Sequence, residues 1–163
     1  MRIGFGGIGK CYAADKAKAV LQEKGVKSGI VNASGDLITW GNQPNGNAWT
    51  IGIANPNAKN QPFSSLNISN YAIATSGDYE KFVEIDEKKY SHTINPKTGL
   101  PISGIKSTTI LAPNAELADA LATPVMVMGI KVGLDLINQM KGIACIIIDE
   151  NNQVFTSKNI NIG

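Results

Sequence analysis

Short apolar or alternating runs recur along the chain and predict a protein rich in β-strands. Most of them are bounded by Gly, Asn, Asp, Ser or Pro, which is typical of strands joined by tight turns. The predicted strands cover residues 28–33, 37–40, 49–54, 65–68, 71–75, 81–85, 107–111, 143–149 and 154–157. A polar connection is expected at residues 56–62, and a charged turn after residue 85.

Apolar positions spaced by three or four residues predict three helices, at residues 10–24, 115–128 and 132–140. The first has an apolar stripe through Ala13, Ala17, Val20 and Leu21 and ends at Gly25. In the second, Asn114 is the expected N-cap, and Pro124 is expected to kink or restart the helix. Its apolar stripe is predicted to contain Leu117, Leu121, Val125 and Met128. Few β-α-β units are visible, so we predict an α+β fold with a largely antiparallel sheet and packed helices.

Composition narrows the class of protein. With 163 residues, 43% hydrophobic and 17% charged, the sequence predicts one globular domain rather than a disordered chain. The net charge of +2 comes with scattered lysines, so we expect no nucleic-acid partner. The two cysteines show no metal-type spacing. The printed sequence contains neither a signal-peptide pattern nor an apolar run of about 18 residues, so it does not indicate a compartment.

A glycine cluster, GFGGIGK, precedes the first predicted helix. It matches G-x-G-x-x-G and the first seven positions of a Walker A loop, two motifs that place backbone N–H groups against phosphate. Cys11 stands where Walker A needs Ser or Thr, and the strand before the glycines has at most five residues. The first acid after the next strand is Asp36. Neither motif is therefore met, and two interpretations stay open: a phosphate-binding turn, or a turn that only packs closely.

Three other stretches carry candidate chemistry. The segment TSGDY, residues 75–79, predicts a turn with hydroxyls and free N–H groups that suits an anion, although such turns are often only structural. Asp36 lies in another predicted turn, and the alternative for it is likewise a purely structural role. Asp119 and Thr123 are four residues apart on a helix and hence neighbours. Their oxygens suit magnesium, and the alternative is an exposed polar spot.

The single histidine, His92, lies in YSHTINPKTGLP. Asn95-Pro96 and Thr98-Gly99 are turn dipeptides, so the imidazole is expected on a rigid turn facing a cleft. Imidazole takes or gives a proton near neutral pH. The alternative is a histidine with only a structural hydrogen bond.

Five segments resemble, in order, the ApbE-type flavin transferases, also known as FAD:protein FMN transferases: GGIGKCYAADKA, VNASGD, AIATSGDYEKF, YSHTINPKTGLP and ELADALAT. They span nearly the whole chain. The resemblance implies the C-terminal part of a T-fold-like domain. It also implies an enzyme that cleaves FAD with Mg²⁺, attaches FMN to a Thr or Ser hydroxyl of a target protein and releases AMP. The alternative is a shortened relative that binds or hydrolyses FAD, or an inactive fragment. Members of the family are typically periplasmic or membrane-anchored lipoproteins.

The resemblance also implies roles for individual residues. Asp119 and Thr123 correspond to side-chain metal ligands, with a backbone carbonyl from the Gly7–Gly9 turn, assigned to Gly9, beside them. His92 corresponds to the base that activates the acceptor hydroxyl. The positions implied to lie close to the flavin nucleotide are Gly7, Lys10, Asp36, Thr75, Ser76, Gly77 and Asp78. Four positions depart from the residues that the family commonly carries: Cys11 and Ser34 replace Gly, Thr93 replaces Ile, and Asn95 replaces Asp.

Proteins of this family carry a long segment before the glycine turn, and the printed sequence begins close to that turn. We therefore expect a single ApbE-type domain that lacks the N-terminal part of the flavin pocket. Uncovered strand edges favour association. The chain by itself is thus expected to bind FAD weakly, to self-associate, and to become an active transferase only with an N-terminal segment restored.

Overall fold

A six-stranded antiparallel sheet forms the centre of the protein. The structure is a computed structural model, which describes residues 4–54, 62–77, 82–85 and 88–160. The predicted α+β fold with a largely antiparallel sheet is confirmed. Along the chain the elements are α1 (Gly9–Glu23), β1 (Gly29–Ala33), β2 (Asp36–Trp40), β3 (Trp49–Ala54), β4 (Pro62–Ile68), β5 (Ala72–Gly77), β6 (Phe82–Ile85), β7 (Lys88–Ser91), β8 (Ile105–Ala112), α2 (Ala115–Met128), α3 (Ile130–Asn138), β9 (Ala144–Asp149) and β10 (Val154–Thr156).

The strand order of the sheet is β1-β2-β5-β8-β9-β10, and every neighbouring pair is antiparallel. β1 and β2 are joined by Ser34 and Gly35, both with positive φ (57° and 99°). Two such residues suit the twist of a two-residue hairpin. β3–β4 and β6–β7 form separate hairpins. The sequence predicts a charged turn where β7 lies, because β7 has no apolar pattern. The strand forms through backbone pairing with β6.

Both faces of the sheet are covered at its centre. All positions of β2 and β9 are buried. Residues that point to one face pack with the helices, and their neighbours along the strands pack with the β3–β4 hairpin. On the hairpin side, Ile51 and Ile53 form a cluster with Leu37, Leu111 and Ile146. The sheet is thus held from two sides, which fixes the ends of β2 and β5 where the candidate site lies.

Helix α2 begins as predicted and is tied to α1. The Asn114 side chain accepts a hydrogen bond from the N–H of Leu117, and Asp15 of α1 accepts from the N–H groups of Ala115 and Glu116. These three acceptors satisfy N–H groups that a helix leaves free at its start. The helix continues through Pro124, so the expected restart does not occur.

The buried faces of the two long helices differ from those predicted. The buried positions of α2 are Ala115, Ala118, Asp119, Ala122, Val125 and Met126, whereas Met128 is exposed. In α1 only Cys11 and Ala14 are buried, and Val20 is 48% exposed. The apolar stripes predicted for both helices were therefore partly wrong, because small side chains at the contact let the helices lie close to the sheet. No described helix is long and apolar enough to cross a membrane.

Candidate functional site

A cleft of about 310 Å³ opens where the start of α1, the end of β5, the segment after β7 and the middle of α2 meet. Most of the residues predicted for the site line it, although they come from distant parts of the chain. The lining residues are Gly6, Gly7, Lys10, Thr75, Ser76, Gly77, His92, Thr93, Asp119 and Thr123.

Asp36 ties three elements together beneath the cleft. It begins β2, is 3% exposed, and its Oδ2 lies 2.5 Å from Nζ of Lys10 in α1. Its Oδ1 accepts a hydrogen bond of 2.9 Å from the backbone N–H of Thr75 in β5. The interpretation of Asp36 as a mere turn residue is therefore wrong, since both of its oxygens hold other parts of the chain. It is not among the residues that line the cleft.

Lys10 brings a positive charge to the cleft. Burial by itself lowers the pKa of this ammonium, but the hydrogen bond and charge of Asp36, with the charge of Asp119, outweigh burial. The net result is a raised pKa, so Lys10 is cationic at neutral pH. Its side chain remains 43% exposed, which leaves it accessible to an anion in the cleft.

Asp119 presents an unusual carboxylate. It lies in the middle of α2, is 8% exposed, and its Oδ2 has no hydrogen-bond partner within the described residues. Burial raises the pKa of this carboxyl, and the negative charge of Asp36 adds to the rise, while the neighbouring Cys11 thiol and the Lys10 charge oppose it. A buried carboxylate oxygen without a partner is costly. A cation supplied from the cleft would satisfy it.

Thr123 lies one helical turn beyond Asp119 and faces the same cleft, as its spacing predicts. It is exposed, and its Oγ1 shares a hydrogen bond of 2.8 Å with Oγ of Ser76 at the end of β5. Of this pair only Thr123 is exposed, so the bland interpretation of both residues as an exposed polar spot is wrong for Asp119.

Residues 75–77 do not form the predicted TSGDY turn. Thr75, Ser76 and Gly77 continue β5 and pair with Thr109, Thr108 and Ser107 of β8. The ladder prevails over the local turn signal because a full-length partner strand is present. Asp78, the remaining predicted residue, lies outside the described part of the chain. The hydroxyls of this segment thus reach the cleft from a strand end.

The glycine turn borders the cleft through Gly6 and Gly7. The carbonyl of Phe5 accepts hydrogen bonds from the N–H groups of Ile8 and Gly9, which closes the turn and starts α1. Gly9 is the first residue of α1 and is absent from the set of described residues that line the cleft. Its role as carbonyl donor to a metal stays a prediction.

His92 follows β7 directly and lines the exposed rim of the cleft. The turn after it has the predicted chemistry: Asn95 Oδ1 accepts from the N–H of Lys97, Thr98 Oγ1 accepts from the N–H of Leu100, and Gly99 has a φ of 70°. A backbone bridge between Ile94 and Pro101 closes the loop. The imidazole is therefore presented from a well-bonded turn.

Cys11 is the site residue that sequence reasoning missed. It is fully buried, its Sγ lies 3.6 Å from Asp36 Oδ2, and the ligand atoms of Cys11, Asp36 and Asp119 lie within 4.8 Å of one another. Burial raises the pKa of the thiol well above its ordinary value, and the two carboxylates add to the rise. The only sequence signal was its position beside Lys10, because tertiary folding alone brings these three residues together.

The family model described as the ApbE family matches residues 1–147. The chain belongs to the ApbE family. That match includes every residue that lines the cleft.

Curated ApbE relatives are named FAD:protein FMN transferase. The chain is 32% identical to the relative from Escherichia coli K12 over 150 residues, which cover 91% of the chain and 42% of the relative. It is 36% identical to the relative from Vibrio cholerae over 129 residues, which cover 78% of the chain and 39% of the relative. The chain thus spans less than half the length of these two proteins.

Solved ApbE structures share the fold. The ApbE protein from Thermotoga maritima superposes with a TM-score of 0.86 at 32% identity, over 96% of this chain and 52% of that one. The apo flavinyl transferase ApbE from Pseudomonas stutzeri gives a TM-score of 0.82 at 32% identity, over 96% and 50% of the two chains. The chain therefore shares the fold of about half of each of these two structures.

Proposed function

We propose that this chain provides the metal-binding and acceptor-activating part of an FAD:protein FMN transferase. In the proposed reaction FAD is cleaved with Mg²⁺, FMN is attached to a Thr or Ser hydroxyl of a target protein, and AMP leaves. One observation carries the proposal: Asp119 holds a buried carboxylate oxygen without a hydrogen-bond partner among the described residues, in a cleft that also contains Lys10 and His92. The names of the ApbE relatives support the same activity.

The donor set of the cleft fits Mg²⁺. This ion prefers oxygen ligands, keeps several waters and is usually held by one or two protein carboxylates with substrate phosphates. Asp119 supplies the carboxylate, and Thr123 supplies a hydroxyl one turn along the same helix. A carbonyl from the Gly7–Gly9 turn is the proposed backbone ligand. When bound, Mg²⁺ neutralises charge on the pyrophosphate oxygens during phosphoryl transfer.

Lys10 and the strand end are proposed to hold the nucleotide. The ammonium faces the cleft and attracts the pyrophosphate, and Gly7 has no side chain to keep the phosphates from the backbone at the start of α1. Thr75, Ser76 and Gly77 also line the cleft. Asp36 acts through Lys10 as a positioning residue, since it holds the ammonium without lining the cleft.

His92 is the proposed general base. Its position on the exposed rim allows an acceptor protein to bring a hydroxyl to the imidazole. His92 takes the hydroxyl proton as the oxygen attacks the FMN phosphorus. The bond from that phosphorus to the bridging oxygen breaks, and AMP leaves with the bridging oxygen. The products are a phosphoester between FMN and the acceptor, and AMP.

The test is to incubate the chain with FAD, Mg²⁺ and an acceptor peptide that contains one Thr, with a Thr-to-Ala peptide as control. Covalent fluorescence on the Thr peptide with an equal amount of AMP is the result that identifies a transferase. AMP and free FMN without labelled peptide would instead identify an FAD-hydrolysing relative.

A chimera removes any dependence on the length of the chain. Here the matched 150 residues of the Escherichia coli relative are replaced by this chain. We expect the chimera to label the peptide, and the chimera with Asp119→Ala to fail. A folded chimera that neither labels peptide nor releases AMP would contradict the proposed function.

A further inference from the structure

A hydrogen bond between two hydroxyls joins the sheet to α2 at the cleft. Ser76 lies in β5 and Thr123 lies in α2, 47 positions later, and their hydroxyl oxygens are 2.8 Å apart. Both residues line the cleft. A hydroxyl can rotate to suit its surroundings, so a partner at this distance restricts the directions in which its lone pairs point.

Only one direction of this hydrogen bond is compatible with the proposed metal site. Either hydroxyl can be the donor. A hydroxyl oxygen binds a cation with a lone pair, and its proton then needs an acceptor. Ser76 Oγ is the acceptor that lies beside Thr123 Oγ1. With a cation bound, Thr123 therefore donates and Ser76 accepts.

We infer that Ser76 is a positioning residue, which orients the Thr123 hydroxyl toward the cation and does not bind the cation itself. The inference rests on the proposed function, because it takes Thr123 as a metal ligand. Groups that hydrogen-bond to metal ligands fix the orientation of those ligands, and their loss typically weakens metal binding by roughly 10- to 100-fold.

Regular secondary structure holds both partners in place. Ser76 pairs with Thr108 of β8 in the antiparallel ladder. Thr123 follows Ala122, which is fully buried in the core between the helices and the sheet. Side chains on strands and helices are positioned more precisely than those on loops. The packing of α2 on the sheet thus sets the distance between the two hydroxyls.

Thr108 provides a matched control. It lies directly opposite Ser76 on the neighbouring strand, so the two side chains are on the same face of the sheet. Its hydroxyl is buried and has no hydrogen-bond partner among the residues that the structure describes. Thr108→Val therefore removes a hydroxyl from the same region without removing the Ser76–Thr123 hydrogen bond.

The experiment is a titration of the chain with Mn²⁺, followed by the electron paramagnetic resonance signal of the free ion. Mn²⁺ shares the preference of Mg²⁺ for carboxylate, carbonyl and water ligands. Ser76→Ala should bind Mn²⁺ roughly 10-fold more weakly than the chain, and Thr108→Val should bind it as the chain does. Ser76→Cys, whose thiol is only a weak acceptor, serves if circular dichroism shows that Ser76→Ala does not fold.

A double-mutant cycle separates a positioning role from an independent one. Thr123→Val removes the ligand itself, so adding Ser76→Ala to Thr123→Val should cause no further loss of Mn²⁺ affinity. Two results would overturn the inference. One is Ser76→Ala binding Mn²⁺ as tightly as Thr108→Val, and the other is an equal loss from Ser76→Ala with and without Thr123→Val.

Asp119→Ala distinguishes failure of this inference from failure of the proposed function. If the chain does not bind Mn²⁺, or if Asp119→Ala binds it equally well, the metal site and the positioning role are both wrong. If Asp119→Ala loses binding while Ser76→Ala retains it in full, the positioning role alone is wrong.

Discussion

The base and the rim of the cleft are built in opposite ways. At the base, Asp36 and Asp119 are buried, and Asp36 is bonded to Lys10 and Thr75. One oxygen of Asp119 has no hydrogen-bond partner in the part of the chain that the structure describes. At the rim, His92 is exposed. Charges held in a buried, bonded frame act strongly because little water screens them. An exposed imidazole at the end of a strand leaves room for a second protein. We infer from this difference that the base acts on the pyrophosphate and the rim receives the acceptor.

The largest effect is expected from breaking the base. Asp119→Ala removes the only cleft-lining carboxylate of the described residues and should lower Mg²⁺-dependent FAD turnover by orders of magnitude. The steady-state rate of AMP release, by the chain or by the chimera, measures this turnover. Asp135→Ala is the matched control, because Asp135 is an exposed carboxylate on α3. Turnover in Asp119→Ala equal to that of the control would remove the metal assignment.

Breaking the rim should give a different pattern. His92→Ala is expected to lower FMN transfer by roughly 10²–10⁴-fold, the usual loss for a general base. Affinity for FAD should change little, since the imidazole is assigned to the acceptor. Single-turnover transfer and FAD titration, measured on the same variant, separate the two. Weak FAD binding with normal transfer at saturation would place His92 with the nucleotide instead of the acceptor.

The sequence predicts the features of this protein that have local signals, and it does not predict those that depend on tertiary contacts. Strands bounded by turn residues and the cap at Asn114 were predictable because their signals are local. The candidate residues around His92 and Asp119 followed from motifs. The strand conformation of residues 75–77 could not be predicted, because pairing with β8 extends β5 through a sequence that is typical of a turn. The Cys11–Asp36 contact could not be predicted either, because it joins residues 25 positions apart and depends on how α1 lies on β2.

A smaller effect is expected from Asp36→Asn. This variant tests whether Asp36 stabilises the folded structure at the base of the cleft in addition to supplying negative charge. The amide retains an acceptor for the Thr75 N–H but loses the charge opposite Lys10. Because Lys10 is partly exposed, water compensates part of the loss. We expect the free energy of unfolding to fall by about 1–3 kcal/mol. Urea unfolding measures it, with Asp135→Asn as control. No loss of stability would show that the contact does not hold the base together.

The smallest expected effect concerns how the stability of the metal-free chain depends on pH. Burial and the charge of Asp36 raise the folded-state pKa of Asp119 above its ordinary value of 3.8. A group with a raised folded-state pKa contributes stability that is fully present below the unfolded-state value and lost as pH rises through the folded one. The metal-free chain should therefore lose stability as pH rises from about 4 through the mildly acidic range.

Asp119→Asn removes that titration. At neutral pH the metal-free variant should melt roughly a few °C higher than the chain itself, and the difference should shrink toward pH 4. Thermal unfolding of both proteins in chelator, across that pH range, measures the effect. Added Mg²⁺ should raise the melting temperature of the chain but not that of the variant, because binding to the folded state stabilises it. A variant that melts lower than the chain at neutral pH would show that the Asp119 carboxylate is satisfied without a metal, and the base of the cleft would then be purely structural.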